Sequence, residues 1–488
     1  MTKGAEEAWL IHVDTGGTFT DCIAEAPDNR VLRVKVLSHG SLPCVFTEVL
    51  GPRSIGIEAS WRAPDNFPIG FTVYFPSNPE HLGEVCAYEE ATGKLVLAQE
   101  LPFVPVTGEP LELGSGWEAP VLAAKLAMAG EEPSLGEASV SMRLATTRCT
   151  NALLEGKGVP PVFFVTRGFR DLLRIGDQRR VGLFEICPRT RDSLHAEVVE
   201  VRGRLDREGA VLEPLDLEDL RESVQPLLAE GQRVAAVSLI HSHANPVHEE
   251  TLAAFLRESG FSVVTASAEL SPFAKWLPRA ESTVIEAYLA PILREYLENV
   301  SAFLGNGSLR VMTSSGGLFG EGAYRAIDSL LSGPAGGVVG AAASAKRAGL
   351  NKIIALDMGG TSADVSRYDG DFDYCDRHEV GEAFVSAPAL RIETVAAGGG
   401  SICALDGDLL AVGPESAGAR PGPACYGYGG PLCLTDVNLL LGRLDPTRFS
   451  APVFPEESER RLGEMLAGGI RSREDTLVGF LEVANEVM

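Results

Sequence analysis

Positive charge is scarce in this sequence. Its 42 lysines and arginines are outnumbered by 67 aspartates and glutamates, which gives a formal net charge of −25 at pH 7 and a pI near 4.8. Such an acidic surface repels the phosphate backbone of nucleic acids and anionic lipid, so we expect neither as a partner. Binding of ATP would require local masking of this charge by backbone N–H groups, a divalent cation or both.

Paired cysteines, long apolar runs and a leader segment are also missing. The nine cysteines stand singly without a C-x-x-C pair, a pattern typical of free thiols in a reducing compartment rather than of disulfides or zinc knuckles. No apolar run approaches the roughly 18 residues of a membrane-spanning helix. Residues 1–17 contain no basic segment followed by an apolar one. We therefore expect a cytoplasmic protein that binds no membrane.

The strongest internal signal is a repeat. IHVDTGGTFTD, which begins at Ile11, matches IALDMGGTSAD, which begins at Ile354. Both contain the pattern D-x-G-G-T-x-x-D, and residues typical of strands precede and follow it. The pattern predicts two β-hairpins whose turns contain the glycines. It also implies two related halves that face each other.

The residues of these turns suit phosphate and magnesium. Paired glycines let backbone N–H groups approach phosphate oxygens, threonine hydroxyls add donors, and two such turns could clamp one triphosphate. Asp14 and Asp357 are the predicted catalytic residues and Mg²⁺ ligands, directly or through water, with Asp21 and Asp364 as further candidate ligands. The predicted phosphate-binding residues are Gly16, Gly17, Thr18, Thr20, Gly359, Gly360 and Thr361.

The alternative for each turn is a tight hairpin in which an aspartate merely satisfies turn N–H groups. Two occurrences at matching positions favour the phosphate function. Gly333 and Gly336 open a predicted helix whose N-terminus could bind an anion, and Gly398, Gly399 and Gly400 could let adenine or ribose approach the backbone. Glycines that only permit tight turns and helix packing explain these two segments equally well.

The rest of the chain predicts a mixed α/β protein of several domains. Residues 1–40 and 138–160 form the first part of the predicted N-terminal region, and residues 41–137 form a mainly β insertion. Strands and helices alternate over residues 161–350, which is typical of a mostly parallel sheet. Residues 351–488 form the second predicted subdomain, and its last helix has no cap where the sequence stops.

Candidate substrate contacts lie in two polar motifs. TTRCTNALLEGKG contains Asn151, and TRGFRDLLRIGDQR places Arg167 and Arg174 near the end of a predicted parallel strand. Ligands of such sheets bind at the carboxyl ends of strands, so these arginines could bind a carboxylate or phosphate. Surface ion pairing is an equally good explanation of the two arginines.

Six ordered motifs closely resemble those of the hydantoinase A/5-oxoprolinase family: VDTGGTFTD, TTRCTNALLEGKG, TRGFRDLLRIGDQ, LLSGPAGGVVGA, LDMGGTSADVS and PGPACYGYGGPLCLTD. The resemblance covers residues 9–37 and about 140–488. It implies duplicated actin-like (ribonuclease H-like) ATPase domains that bind ATP and Mg²⁺ and phosphorylate the carbonyl oxygen of a cyclic amide, 5-oxoproline or a hydantoin-type imide. A B-type hydrolytic subunit, or a fused continuation of the chain, would complete hydrolysis in an oligomer.

The sequence also departs from that family. Residues 41–137 have no recognised counterpart, and Arg148 and Cys149 stand where smaller residues are common, which leaves the substrate open. Two other functions therefore stay in consideration. One is the ATP-binding component of a ketone carboxylase, and the other is a nucleotide-gated protein without catalytic activity.

Overall fold

The computed structural model describes residues 8–75, 78, 82–129, 139–178, 193–381, 383–407, 409–418, 421–449, 453–467 and 471–488. The end of the predicted β insertion (130–137) and the last arginine of TRGFRDLLRIGDQR lie outside the described residues. Contacts divide the chain into a first unit, residues 1–335 and 374–389, and a second unit, residues 336–373 and 390–488.

Within the described residues, the strands are β1 (Trp9–Thr15), β2 (Phe19–Glu25), β3 (Val31–Leu37), β4 (Ser41–Gly51), β5 (Ser54–Ala59), β6 (Thr72–Tyr74), β7 (Leu82–Glu89), β8 (Lys94–Leu97), β9 (Pro110–Gly114), β10 (Val140–Thr146), β11 (Val162–Thr166), β12 (Glu197–Val201), β13 (Arg204–Leu205), β14 (Val211–Glu213), β15 (Val234–Ser238), β16 (Val263–Ala266), β17 (Ser308–Met312), β18 (Leu318–Gly320), β19 (Lys352–Met358), β20 (Ala363–Asp369), β21 (Tyr374–Cys375), β22 (His378–Val380), β23 (Ala383–Val385), β24 (Ala389–Leu390), β25 (Glu393–Val395), β26 (Ser401–Asp406) and β27 (Leu409–Ser416).

The α-helices in the same part of the chain are α1 (Ala119–Met128), α2 (Arg148–Leu154), α3 (Leu172–Ile175), α4 (Leu217–Ala229), α5 (Val247–Ser259), α6 (Ser267–Leu270), α7 (Trp276–Leu304), α8 (Ala326–Ser329), α9 (Ser332–Arg347), α10 (Leu434–Leu440), α11 (Pro455–Leu466) and α12 (Arg473–Val487). None of the helices in the described residues is both long enough and apolar enough to cross a membrane.

The first unit contains a twelve-stranded sheet in the order β18-β17-β10-β1-β2-β3-β4-β5-β8-β7-β6-β9. Strand β1 lies inside this sheet, and its alternate residues Trp9, Ile11 and Val13 are buried in the core. β1 pairs in parallel with β10 and antiparallel with β2, so the first predicted hairpin is confirmed. Residues 41–129 are mainly β, as predicted, and their strands extend the sheet of β1. The predicted domain boundaries stay predictions.

A second sheet of the first unit, in the order β12-β11-β15-β16, is parallel throughout. Strands β11 and β15 are buried along their whole length, which explains their continuous apolar sequences. Asp216 caps helix α4, because its carboxylate accepts from the N–H groups of Glu218 and Asp219. The predicted alternation of strands and helices after residue 161 is therefore confirmed.

The second unit contains the sheet β19-β20-β25 and the hairpin β26-β27. Strands β19 and β20 are antiparallel, which confirms the second predicted hairpin. Helices α10, α11 and α12 share an apolar core that includes Leu434, Leu462, Leu477 and Phe480. Ser472 caps helix α12, because its hydroxyl accepts from the N–H of Asp475.

Candidate phosphate-binding site

The turn of the first hairpin is compact and accessible. The N–H of Gly16 donates to the carbonyl of Phe19 at 3.0 Å, which closes the turn. Gly17 and Thr18 are exposed, and a Cβ added to Gly17 would meet no atom within 4 Å. A ligand therefore has room to approach these predicted phosphate-binding residues.

Helix α2 is joined to the first hairpin through Thr147. The N–H and Oγ1 of Thr147 both donate to the carbonyl of Thr15, at 3.0 and 3.1 Å. Nδ2 of Asn151 in turn donates to Oγ1 of Thr147 at 3.2 Å. The structure thus brings Asn151, a predicted substrate residue, next to the strand end that precedes the turn.

The first turn of α9 lies beside Asp14. Oγ of Ser332 donates to the carbonyl of Thr146 at 2.8 Å, which fixes the start of the helix against the end of β10. A Cβ added to Gly333 would lie 3.9 Å from Oδ1 of Asp14 and 3.7 Å from Cγ2 of Thr147. The N-terminus of α9, which is the positive end of its dipole, therefore lies next to the exposed Asp14 carboxylate.

Among the described residues, Asp14 is the one carboxylate of this corner that could hold a magnesium ion. Within the described residues, no group of three or more His, Cys, Asp or Glu side chains is placed to hold a metal ion. A Mg²⁺ at Asp14 would therefore complete its coordination with water and phosphate oxygens, which is how Mg²⁺ usually binds beside phosphates.

Asp21 and Thr20 are held within the sheet. Asp21 is the cross-strand partner of Asp14, and Nζ of Lys35 on β3 contacts both of its carboxylate oxygens at 2.9 Å. Thr20 is fully buried, with its Oγ1 3.1 Å from Oγ of Ser38. Because both side chains have partners in the fold, we leave Asp21 out of the proposed Mg²⁺ site and Thr20 out of the phosphate site.

A buried tyrosine that the sequence analysis missed lies below this corner. Tyr296 of α7 belongs to the core of the first unit, and burial raises the pKa of its hydroxyl to about 12. The guanidinium of Arg148 lies 5.9 Å from the centre of its ring. Arg148, which departs from the family pattern, is thus placed to make a cation–π contact with Tyr296. No local signal marked Tyr296, since it is one of many apolar residues of a long helix.

The second hairpin has the same local geometry. The N–H of Gly359 donates to the carbonyl of Ser362 at 2.9 Å, and the predicted phosphate-binding residues Gly360 and Thr361 are exposed. Asp357 pairs across the strands with Asp364. Asp364 accepts a hydrogen bond from Oγ1 of Thr394 at 2.7 Å, as Asp21 accepts one from a lysine in the first hairpin.

The neighbour of Asp357 on α9 is a residue that the sequence analysis did not select. A Cβ added to Gly337 would lie 3.9 Å from Oδ2 of Asp357. Gly336, which was selected, is a half-buried residue of the same helix. The sequence GPAGG offered both glycines, and only the helical geometry distinguishes them.

The segment 398–400 packs its backbone on the second turn. The N–H groups of Gly399 and Gly400 donate to the carbonyls of Gly359 and Gly360 at 3.0 and 2.6 Å. A Cβ added to Gly398 would lie 2.7 Å from three backbone atoms of Gly360 and Thr361. These contacts support the packing explanation of the glycines, and their contact with adenine or ribose stays a prediction.

Two residues of PGPACYGYGGPLCLTD that the sequence analysis did not select support this segment. The N–H and Oγ1 of Thr435 donate to the carbonyl of Gly399 at 2.8 and 2.9 Å. The buried Asp436 carboxylate accepts from the N–H groups of Ala424, Cys425 and Cys433. The final Thr-Asp of the motif therefore holds the loop around residue 425 and the glycine segment.

Arg167 and Arg174 belong to the other sheet of the first unit. Both are exposed, Arg167 directly after β11 and Arg174 in α3. The same end of that sheet contains a buried polar network that the sequence did not reveal. Glu249 accepts from the N–H of Leu239 at 2.6 Å and from Oγ of Ser267 at 2.7 Å, and Nε of Arg279 donates to that Oγ at 2.9 Å.

Two long stretches of the chain match a known protein family. The Hydantoinase/oxoprolinase family matches residues 279–488, and the Hydantoinase/oxoprolinase N-terminal region matches residues 119–260. The chain belongs to the hydantoinase/oxoprolinase family. These ranges include α9 and the second hairpin, whereas the first hairpin precedes them.

Individual members of the family are considerably longer. The 5-oxoprolinase PfmaA of Pestalotiopsis fici is 40% identical to the chain. The aligned residues cover 72% of the chain and 31% of PfmaA. Caprolactamase subunit alpha of Pseudomonas jessenii is 34% identical over 61% of the chain and 45% of its own length. The chain thus spans about a third of the length of the fungal 5-oxoprolinase.

Two solved structures share the fold. The ATP-dependent caprolactamase from Pseudomonas jessenii covers 98% of the chain with a TM-score of 0.66, and the chain covers 62% of that protein. Nucleotide-free acetone carboxylase covers 98% of the chain with a TM-score of 0.65, and 61% of that protein is covered. Both are 24% identical to the chain over the superposed residues, so the likeness concerns the mixed α/β fold.

Proposed function

We propose that this chain is the ATP-binding component of an ATP-dependent cyclic amide hydrolase, built on duplicated actin-like domains. The observation that carries the proposal is the meeting of the Gly16–Thr18 turn, the Asp14 carboxylate and the first turn of α9 at Gly333. This corner offers backbone donors, a helix dipole and one carboxylate, which are the groups that bind Mg²⁺ and phosphate together. The names of the family's members, 5-oxoprolinase and caprolactamase, supply the substrate class.

Phosphorylation solves the chemical difficulty of this reaction. An unstrained amide resists attack by water because its nitrogen is a poor leaving group and its carbonyl is weakly electrophilic. In the proposed step the carbonyl oxygen attacks the γ-phosphorus of ATP. A new O–P bond forms, the bond between the γ-phosphorus and the bridging oxygen breaks, and ADP leaves with the electron pair. Water then attacks the activated carbon, and the C–N bond of the ring breaks as the nitrogen takes up a proton, which leaves an acyl phosphate. A second water attacks the acyl phosphate, so the carboxylate forms and phosphate departs.

The residues of the chain position the reactants in this step. The N–H groups of Gly17 and Thr18 donate to phosphate oxygens, and the Asp14 carboxylate orients the hydrated cation. Mg²⁺, when bound, neutralises charge on the phosphate oxygens. Asn151, held by Thr147 beside the same strand end, is placed to hydrogen-bond the cyclic amide. A B-type hydrolytic subunit or a fused segment supplies the attack of water, in an oligomeric enzyme.

Substitution of the leading aspartates tests this proposal. We expect Asp14→Asn and Asp357→Asn each to reduce ADP formation stimulated by 5-oxoproline or hydantoin to the background rate, and to weaken Mg·ATP binding at least about tenfold. Asp21→Asn is the matched control, because it changes an exposed carboxylate on the next strand that Lys35 already binds. Measurements use the purified chain alone and with a B-type subunit. Wild-type turnover in both Asn variants would refute the proposal.

Ketone carboxylation is the second candidate, since acetone carboxylase has the same fold. ADP formation that requires acetone together with bicarbonate, and no cyclic amide, would favour it. Binding of Mg·ATP without stimulation by any of these compounds would instead indicate a nucleotide-gated protein.

A further inference from the structure

Arg148, the first residue of α2, presents its positive charge to solvent. No acceptor among the described residues forms a hydrogen bond or an ion pair with its guanidinium. Lys157, the other cation of the same motif, in contrast lies 2.5 Å from a carboxylate oxygen of Glu155. In a chain with a net charge of −25, such a cation creates a local positive potential that attracts a small anion.

The ring of Tyr296 fixes where this charge lies. The guanidinium carbon of Arg148 is 5.9 Å from the ring centre, and Tyr296 itself is 2% exposed in the core of the first unit. Because the buried ring is held by its neighbours, it positions the guanidinium by a cation–π contact while the arginine side chain stays exposed. A guanidinium positioned in this way can donate two parallel N–H groups to one carboxylate.

The amide of Asn151 is oriented by two successive hydrogen bonds. The hydroxyl of Thr147 has one hydrogen, which it donates to the carbonyl of Thr15 at 3.1 Å, so it can only accept from the Asn151 amide 3.2 Å away. Nδ2 of Asn151 therefore points to Thr147, and Oδ1 accepts no hydrogen bond from any described residue. The half-buried Asn151 thus offers an acceptor for a ring N–H beside the end of β1.

Arg148 and Asn151 are neighbours on one face of α2. Residues three apart in a helix have Cβ atoms about 5–6 Å apart, a separation that a small ring with one substituent can span. In 5-oxoproline the amide nitrogen lies between the carbonyl carbon and the carbon that carries the carboxylate. When this N–H donates to Asn151, the carbonyl and the carboxylate lie on opposite sides of the hydrogen bond. One can then reach the corner of Asp14 while the other reaches Arg148.

We propose that Arg148 is a specificity-determining residue, which binds the carboxylate of an acidic cyclic amide while Oδ1 of Asn151 accepts from the ring N–H. This inference rests on the proposed function, because it concerns the amide substrate of the same site. It narrows the substrate class to lactams that carry a carboxylate next to the ring nitrogen. A ring without a carboxylate would leave the guanidinium of Arg148 without an anion.

A matched pair of lactams tests the proposal. 5-Oxoproline and 2-pyrrolidinone have the same five-membered ring and differ only in the carboxylate. ADP formation by the full chain with a B-type subunit gives kcat and KM for each, and we expect kcat/KM of the wild type to be at least about tenfold higher for 5-oxoproline. Arg148→Met should raise the KM for 5-oxoproline at least about tenfold with little change in kcat, and leave the KM for 2-pyrrolidinone unchanged.

Two further variants accompany this measurement. Arg148→Lys keeps the charge and loses the paired donors, so we expect its KM for 5-oxoproline to lie between those of the wild type and Arg148→Met. Lys157→Met is the matched control, since it removes the other cation of the motif, which Glu155 already binds, and should change neither KM. Circular dichroism verifies that each variant is folded.

The outcomes separate this inference from the proposed function. Turnover with 5-oxoproline whose KM is the same in Arg148→Met and the wild type would overturn the inference alone, as would turnover with hydantoin and none with 5-oxoproline. A KM for ATP that rises equally with both lactams in Arg148→Met would assign Arg148 to the nucleotide phosphates and also overturn it. Turnover with none of the three compounds would refute the proposed function itself.

Discussion

Replacement of Gly398 by alanine distinguishes the two explanations of the segment 398–400. The new Cβ would lie 2.7 Å from backbone atoms of Gly360 and Thr361, closer than real Cβ contacts come. These atoms belong to a hydrogen-bonded turn and cannot rotate away, so the cost should reach the upper end of overpacking penalties, about 3 kcal/mol. At Gly399 the obstacle is the Thr435 hydroxyl, also at 2.7 Å, which can rotate at the loss of one hydrogen bond, about 1 kcal/mol.

Urea unfolding followed by circular dichroism measures both free energies of unfolding, and a titration of ADP formation against ATP gives the KM for ATP. We expect Gly398→Ala to be less stable than Gly399→Ala by about 2 kcal/mol. Gly320→Ala is the control, because Gly320 lies outside the proposed site and its Cβ would meet nothing within 4 Å. If Gly398→Ala keeps wild-type stability and loses affinity for ATP, the packing explanation is wrong and the nucleotide approaches the backbone there.

Two further predictions concern buried groups of the first unit. Arg279→Met should lower the free energy of unfolding by about 3–5 kcal/mol because Glu249 would keep a buried charge without its neighbouring cation. Burial raises the pKa of Glu249, so the folded state takes up its proton at higher pH than the unfolded chain. In urea unfolding, the loss of unfolding free energy of Arg279→Met relative to the wild type should therefore be smaller near pH 5 than near pH 8. An equal loss at both pH values would contradict this prediction. Burial also raises the pKa of Cys22 and Cys149 to about 12, so iodoacetamide at about pH 8 should modify them only after unfolding, as peptide mass spectrometry would show.

The sequence predicted those parts of the fold that depend on neighbouring residues. Residues typical of strands on either side of Gly-Gly define each hairpin. Contacts between distant segments could not be predicted in this way. The strands of residues 41–129 continue the sheet of β1, and Gly398 packs on Gly360, because of tertiary partners that leave no periodic signal in either segment.

Buried polar groups were missed for a related physical reason. Arg279 lies in a helix whose sequence gives no sign that its guanidinium is buried, and only the carbonyls and hydroxyls around it make that burial tolerable. Asn151 was selected from its motif, and its link to Thr15 through Thr147 depends on how α2 meets β1. Residue types could thus be predicted for the site, while their partners required the fold.

The two aspartates of the repeated pattern have corresponding positions in both hairpins, although the residues that contact them differ. In each hairpin the second aspartate is occupied within the sheet, Asp21 by Lys35 and Asp364 by Thr394. In each hairpin the first aspartate, Asp14 or Asp357, lies beside a glycine of α9. A lysine and a threonine are chemically unrelated, so this agreement does not follow from the shared motif. Asp14 and Asp357 stay the proposed Mg²⁺ ligands because of their place beside α9, and Asp21→Asn is an informative control because Asp21 shares the motif and the strand pair of Asp14.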